Sequence, residues 1–265
     1  MASIRATAVA GLFYPAHPAE LRQMVQDFLR AAPPTPAPPS FLPKAIIAPH
    51  AGYIYSGPIA GSAYAALSGR GRQIRRVLLL GPAHTLSFRG LAAPTADSFA
   101  TPLGDVPVDH NGLAAIADLP QVQTLDAAHI REHGLEVHLP FLQIILEDFT
   151  LVPLVVGETG SNEVTEIIER LWGGPETLIV ISSDLSHYHD YITAQQLDTA
   201  TAEAIEQLEP EAISRYQACG RLPIQGLLLA AQRRQLAVHR LDLRNSGDTA
   251  GTKDRVVGYG AWVIG

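Results

Sequence analysis

The chain is short of cysteine, of positive charge and of long apolar runs, and each shortage closes a class of answer. Cys219 is the single cysteine among 265 residues. No disulfide can form within the chain, which fits a reducing compartment. No apolar run approaches the roughly 20 residues that a membrane-spanning helix needs. The opening stretch MASIRATAVAGLFYP has one arginine and a short apolar segment broken by Gly11 and Pro15. A secretory signal has a longer apolar region, so the expected location is the cytoplasm, with no membrane partner. Lys and Arg total 19 against 26 Asp and Glu, a net charge of −7 with histidine neutral. Only RGRQIRR (70–76) gathers positive charge, and it reads as a solvated turn before a strand. Without a basic face, nucleic acid is not an expected partner.

Apolar residues are plentiful, at 47% of the chain. That supply and this length predict one domain over residues 1–265 with a large core. The segment AAPPTPAPPSFLP (31–43) is too rich in proline for helix interior or central strand, so it reads as an extended connector inside that domain. Before it, PAELRQMVQDFLRA (18–31) has Leu21, Met24, Val25, Phe28 and Leu29 at helical spacing. After it, apolar runs alternate with helical patterns. The runs at 44–49, 77–82, 151–156 and 177–182 read as buried strands, and 238–244 and 255–264 as closing strands that can add antiparallel. Helical patterns fall at 57–69, 162–172, 194–207 and 223–236. The expected fold is α/β: a three-layer sandwich whose mixed, largely parallel central sheet is covered by helices on both faces.

The candidate chemistry collects where strands end. His50 follows the first buried strand, His84 the second, and Asp184, His187 and His189 the fourth. In open α/β sheets, ligands bind outside the carboxyl ends of the strands. Three strands each delivering a histidine there point to one pocket and to a redox-metal site. A second cluster, HIREHGLEVHLPF (129–141), holds His129, Glu132, His133, Glu136 and His138. HIREH matches an inverted zinc-protease signature literally, but Gly134 and Pro140 interrupt the long helix such enzymes need. These residues read instead as groups that support the pocket or contact substrate. Cys219 has two readings: a buried, inert thiol, or a soft ligand beside two imidazoles, a donor set suited to zinc, copper or iron.

PHAGYIYSG, LLLGPAHT, EHGLEVHLPF, ISSDLSHYHDY, ACGRLPIQGLL and NSGDTAGTKDRVVGYGAWVI, in this order, resemble the Memo family, component B of the AmmeMemoRadiSam system. That family is similar in fold to class III extradiol dioxygenases, non-haem iron enzymes that open catechol rings. The resemblance implies a metal held by His50, His84 and Cys219. It implies Asp184 and His187 as catalytic residues beside it, with His187 the acid/base, and His133 or His138 orienting substrate or oxygen. Iron(II) or copper is the implied cofactor, with zinc also suited to the donors. The dioxygenases use two histidines and a carboxylate, whereas here a thiolate stands third, softer and more easily oxidised. That departure favours copper or a modified iron chemistry. The expected function is a metal-dependent oxidoreductase acting on a small molecule such as an aromatic diol. The alternatives are a peptide- or ligand-binding module without catalysis, or a partner protein of a radical-SAM modification system.

Overall fold

The runs AIIA, VLLL, LVPLVV and LIVI (178–181) are apolar at every position, so they settle only where both faces of a sheet are covered. The computed structural model describes residues 2–38 and 40–265 and gives them that place. In chain order the elements are β1 (Ile4–Arg5), α1 (Pro18–Ala31), β2 (Ala45–Ala48), α2 (Tyr53–Ala65), β3 (Arg76–Pro82), β4 (Leu91–Ala93), β5 (Ser98–Thr101), β6 (Gly104–Pro107), α3 (His110–Ala114) and β7 (Val122–Thr124). They continue with α4 (Ala127–Ile130), α5 (Leu139–Ile145), β8 (Thr150–Val156), α6 (Ser161–Arg170), β9 (Thr177–Ser182), β10 (His187–His189), α7 (Tyr191–Glu206), α8 (Arg221–Arg234), β11 (Val238–Asn245) and β12 (Val256–Ile264).

Nine strands form the main sheet, in the order β10-β12-β2-β9-β3-β8-β4-β7, with β11 also paired to β12. The centre, β2-β9-β3-β8, is parallel throughout. β12 joins β2 antiparallel and β11 joins β12 antiparallel, as the closing runs predicted. Side chains alternate across this sheet. Ile46, Val77, Leu79 and Val180 pack in one apolar cluster with residues of α1, α2 and α5. Ile47, Leu78, Leu80 and Ile181 pack in a second with residues of α6, α7 and α8. The molecule is thus a mixed α/β fold with helices on both faces of its large sheet. Among the described residues no helix is long and apolar enough to cross a membrane.

The predicted first helix forms over the expected residues, with Leu21 and Val25 fully buried. The second differs. Gly57-Pro58 reads as a helix start, yet α2 begins at Tyr53 and carries Pro58 inside it. The small residues there serve packing: a side chain on Gly61 would come within 2.8 Å of the Phe28 carbonyl of α1. Residues 91–124 carry no periodicity long enough to read, because their strands are three or four residues long. There β4 and β7 extend the main sheet, while β1, β5 and β6 form a separate three-stranded sheet.

Candidate metal centre

β2, β9 and β3 are neighbours in the sheet and end at one edge, with Ala48 opposite Ser182 in register. The loops leaving them therefore deliver His50, Asp184 and His84 to a common place. His133 arrives from the loop between α4 and α5. His50, His84 and His133 each offer a ligand atom, and all three atoms lie within 4.8 Å of one another, so the trio could hold a metal ion. The rings of His84 and His133 stack at 4.5 Å between centroids, and His50 stands edge-on to both. Phe13, from the N-terminal segment, packs tilted against the His133 ring at 4.9 Å between centroids.

Hydrogen bonds fix which nitrogen of two rings faces the centre. The Ser182 hydroxyl donates to the Gly134 carbonyl at 2.5 Å. Its oxygen then accepts from His50 Nδ1, 2.6 Å away, which leaves His50 Nε2 with a free lone pair. His84 Nδ1 donates to Glu132 Oε1 at 2.7 Å, which frees its Nε2 in the same way. Such tethers set the tautomer and orientation of metal-binding histidines. Glu132 also accepts from the main-chain N–H of His84 at 2.8 Å and of Gly134 at 2.9 Å. Gly134 threads between the imidazoles: a side chain there would lie 3.2 Å from Glu132 Oε1 and 3.4 Å from His84 Cε1.

The electrostatics favour neutral imidazoles beside a charged carboxylate. Burial pushes His50 well below the usual histidine value, and the neighbouring His84 and His133 push it further. Burial, then His84, lowers His133 to about 4. Burial would raise Glu132, but its hydrogen bonds from His84 and Gly134 outweigh that and hold it below the usual carboxylate range. Metal ions require the neutral ring, so His50 and His133 are in their ligating state at neutral pH.

Cys219 and Asp184 complete the surroundings. Cys219 Sγ lies 3.3 Å from His50 Nε2, the nitrogen just identified as lone-pair bearing. The main-chain N–H of Asp184 points at the same sulfur at 3.3 Å. Burial, then the charge of Asp184, pushes the thiol up to about 12. Asp184 Oδ1 accepts from the His50 main-chain N–H at 2.7 Å, and burial raises this carboxyl to about 6. His187 sits on β10, its Nδ1 held to the Leu185 carbonyl at 2.8 Å, close enough for its charge to act on Asp184 and His50.

The remaining candidates separate. His138 is fully buried, with Nδ1 2.8 Å from the Tyr64 hydroxyl and no partner on Nε2. His129 is buried as well and its Nε2 meets the Ala92 carbonyl at 2.9 Å. The HIREH pattern thus spreads over a core histidine, the carboxylate that tethers His84, and the third imidazole of the cluster. α4 ends at Ile130, the second residue of that pattern, so no protease-like helix forms. Ser182 gave no signal beyond its place at the end of a strand. Phe13 gave none at all, because its contact spans 120 residues of sequence.

The similarity to known proteins extends over nearly the whole chain. A family model for Memo-like proteins matches residues 5–263. A MEMO1 family protein of Aeropyrum pernix is 38% identical, over 97% of this chain and 98% of its own. Relatives of the same description from Methanopyrus kandleri and Sulfolobus acidocaldarius are 35% and 33% identical, with 97–98% of each chain covered.

Proposed function

Because the chain belongs to the Memo family and its clustered imidazoles have their donor nitrogens preset, we propose a metal-dependent oxidoreductase built on a non-haem iron or copper centre. The observation that carries this is the trio His50, His84 and His133, with ligand atoms within 4.8 Å. The donor set fits such a metal: neutral imidazoles and one thiol suit iron, copper or zinc and not magnesium or calcium. His50 and His84 would ligate through Nε2. Cys219 or His133 would stand third, since the sulfur touches His50 Nε2 and the His133 ring stacks on His84.

A bound redox metal supplies Lewis acidity and one-electron chemistry. The chain supplies the rest. Asp184, raised to about 6, can hold a proton beside the centre near neutral pH. His187 on the rim takes the proton of an incoming hydroxyl, and its tethered Nδ1 leaves Nε2 for that task. Phe13 shields one flank of His133 from water. The likeness to class III extradiol dioxygenases read from the sequence extends this proposal to a small catecholic substrate.

The test is anaerobic titration of the protein with Fe(II), Cu(I) and Zn(II), followed by catechol under spectroscopic observation. Wild type, His50→Ala, Cys219→Ser and His187→Ala are compared. Metal binding should fall at least tenfold in His50→Ala, whereas His187→Ala should keep its metal and lose the catechol response. A wild-type protein that takes up none of the three metals overturns the proposal.

A further inference from the structure

A cavity of about 430 Å³ opens beside the imidazole cluster, and His84 and Cys219 form part of its wall. Arg215 and Arg221 line it too, as do Thr85 and Ser87. Leu86, Phe88 and Leu222 add apolar surface. The volume lies in the range of small-molecule sites, roughly 300–1,000 Å³. Ten arginines of this chain pair with a carboxylate: Arg5, Arg30, Arg72, Arg75, Arg76 and five beyond. Neither Arg215 nor Arg221 forms such a pair among the described residues. Arg215 lies against the ring of its neighbour Tyr216. Glu158 is the one carboxylate lining the cavity, it is exposed, and its charge acts on Arg215. Arg221 is half-buried at the first turn of α8, two residues from Cys219.

We propose that this cavity seats the anionic end of the substrate, a carboxylate or phosphate held by Arg221 and Arg215, with the reacting end of the same molecule at the imidazole cluster. The proposal rests on that cluster being the reaction centre, and it names the class of molecule that reaches it: a small organic anion with an apolar body. Two arginines facing one exposed glutamate leave an excess of positive charge, which repels a cationic ligand. A guanidinium presents paired N–H donors that match the two oxygens of a carboxylate or phosphate, and such charge-assisted pairs are about twice as strong as neutral hydrogen bonds. A neutral ligand of the same shape leaves Arg221 without an acceptor in a partly enclosed space. The apolar side chains Leu86, Phe88 and Leu222 line the same cavity and can cover the body of the ligand.

Benzoate and benzamide have nearly one shape and differ in charge, so they isolate the anionic contact. The full-length, isotopically labelled, metal-free protein is titrated with benzoate, benzamide and phenyl phosphate, and its amide NMR signals are followed. Benzoate or phenyl phosphate should shift signals of residues 84–88 and 218–222 at concentrations where benzamide does not. Whichever of the two anions binds more tightly identifies the headgroup. Arg221→Gln should weaken anion binding at least tenfold, and Arg221→Lys should restore part of it. Equal binding of benzoate and benzamide overturns the proposal, as does wild-type affinity in Arg221→Gln. Metal titration of the same samples separates the two readings. Anion binding without metal uptake leaves this inference standing and removes the oxidoreductase, while metal uptake without anion preference does the reverse.

Discussion

Glu132 and Glu136 lie four residues apart, are both fully enclosed, and do opposite jobs. Glu132 faces the imidazole cluster and spends its oxygens on His84 and the Gly134 N–H. Glu136 faces away, into the N-terminal segment. It pairs with Arg5 and accepts from the main-chain N–H groups of Ala8 at 2.7 Å and Val9 at 3.0 Å and from the Tyr14 hydroxyl at 2.5 Å. On a continuous helix, residues four apart would share one face. The chain between them is not helical, and Gly134 turns it, so the two carboxylates diverge. One orients the His84 ring. The other ties down the segment that carries Phe13 across His133. The lesson is that a buried carboxylate serves function or folding according to the donors it meets.

The comparison breaks most visibly at Glu136. Glu136→Ala leaves the Arg5 guanidinium buried without a counter-charge and two main-chain N–H groups without an acceptor. Removing one partner of a buried pair costs about 3–5 kcal/mol. At about 2–4 °C per kcal/mol for a chain of this size, the melting temperature should fall by roughly 6–20 °C. Thermal unfolding checks it, and a fall under a few degrees would mean that the N-terminal segment is held by something else.

Glu132→Gln should invert that pattern. The amide keeps volume and can still accept from one donor, so stability changes little. The charge that fixes the His84 ring is lost, and substitutions of this kind cost about 10–100-fold in metal affinity. Titration with Zn(II) reads the effect directly. Equal metal affinity in Glu132→Gln and wild type would dissolve the distinction between the two carboxylates.

The histidines beside the two glutamates sharpen it further through pH. Burial lowers His133 to about 4 and His138 to about 3, against 6.5 for a free histidine. Below pH 6.5 the unfolded chain therefore binds protons that the folded chain refuses. Stability must fall as pH falls through that window, down to about 4 for His133 and 3 for His138. Asp184 acts with the opposite sign: raised from 3.8 to about 6, it gives the folded chain the extra proton in between. Each histidine adds up to about 1.4 kcal/mol per pH unit to the slope. His138→Gln keeps a polar group near Tyr64 and removes one proton, so its unfolding free energy should vary less steeply from pH 6 to 4. An unchanged slope would show that His138 titrates alike in both states.

The sequence made the placement of His50, His84, Asp184 and His187 legible because it depends on one rule, that ligand groups collect where parallel strands end. Four buried strands were readable for a different reason: each is built around an apolar run. The grouping of His133 with His50 and His84 was less so. HIREHGLEVH shows its residue types, but not the turn at Gly134 that sends Glu132 one way and Glu136 the other. The Arg5–Glu136 pair and the Phe13–His133 contact join residues more than a hundred positions apart, which no local pattern records. The β4–β7 region stayed unread because strands of three or four residues carry too few positions to show a period.

Ser182 offers the finest division between the two carboxylate regions. It performs for His50 the task that Glu132 performs for His84, with a neutral oxygen in place of a charged one. Hydrogen bonds to an ionised acceptor are about twice as strong as neutral ones. Ser182→Ala should therefore lower metal affinity by no more than about tenfold, the bottom of the range for such tethers. It should cost roughly 1 kcal/mol of stability, because the hydroxyl that met the Gly134 carbonyl is gone. The double variant with Glu132→Gln then decides how the two rings cooperate. If each tether only orients its own ring, the losses multiply. Both bonds, however, end on the loop around Gly134, which receives Ser182 at its carbonyl and Glu132 at its N–H. That shared anchor predicts a combined loss smaller than the product, and a full product would show that the loop holds its shape without either bond.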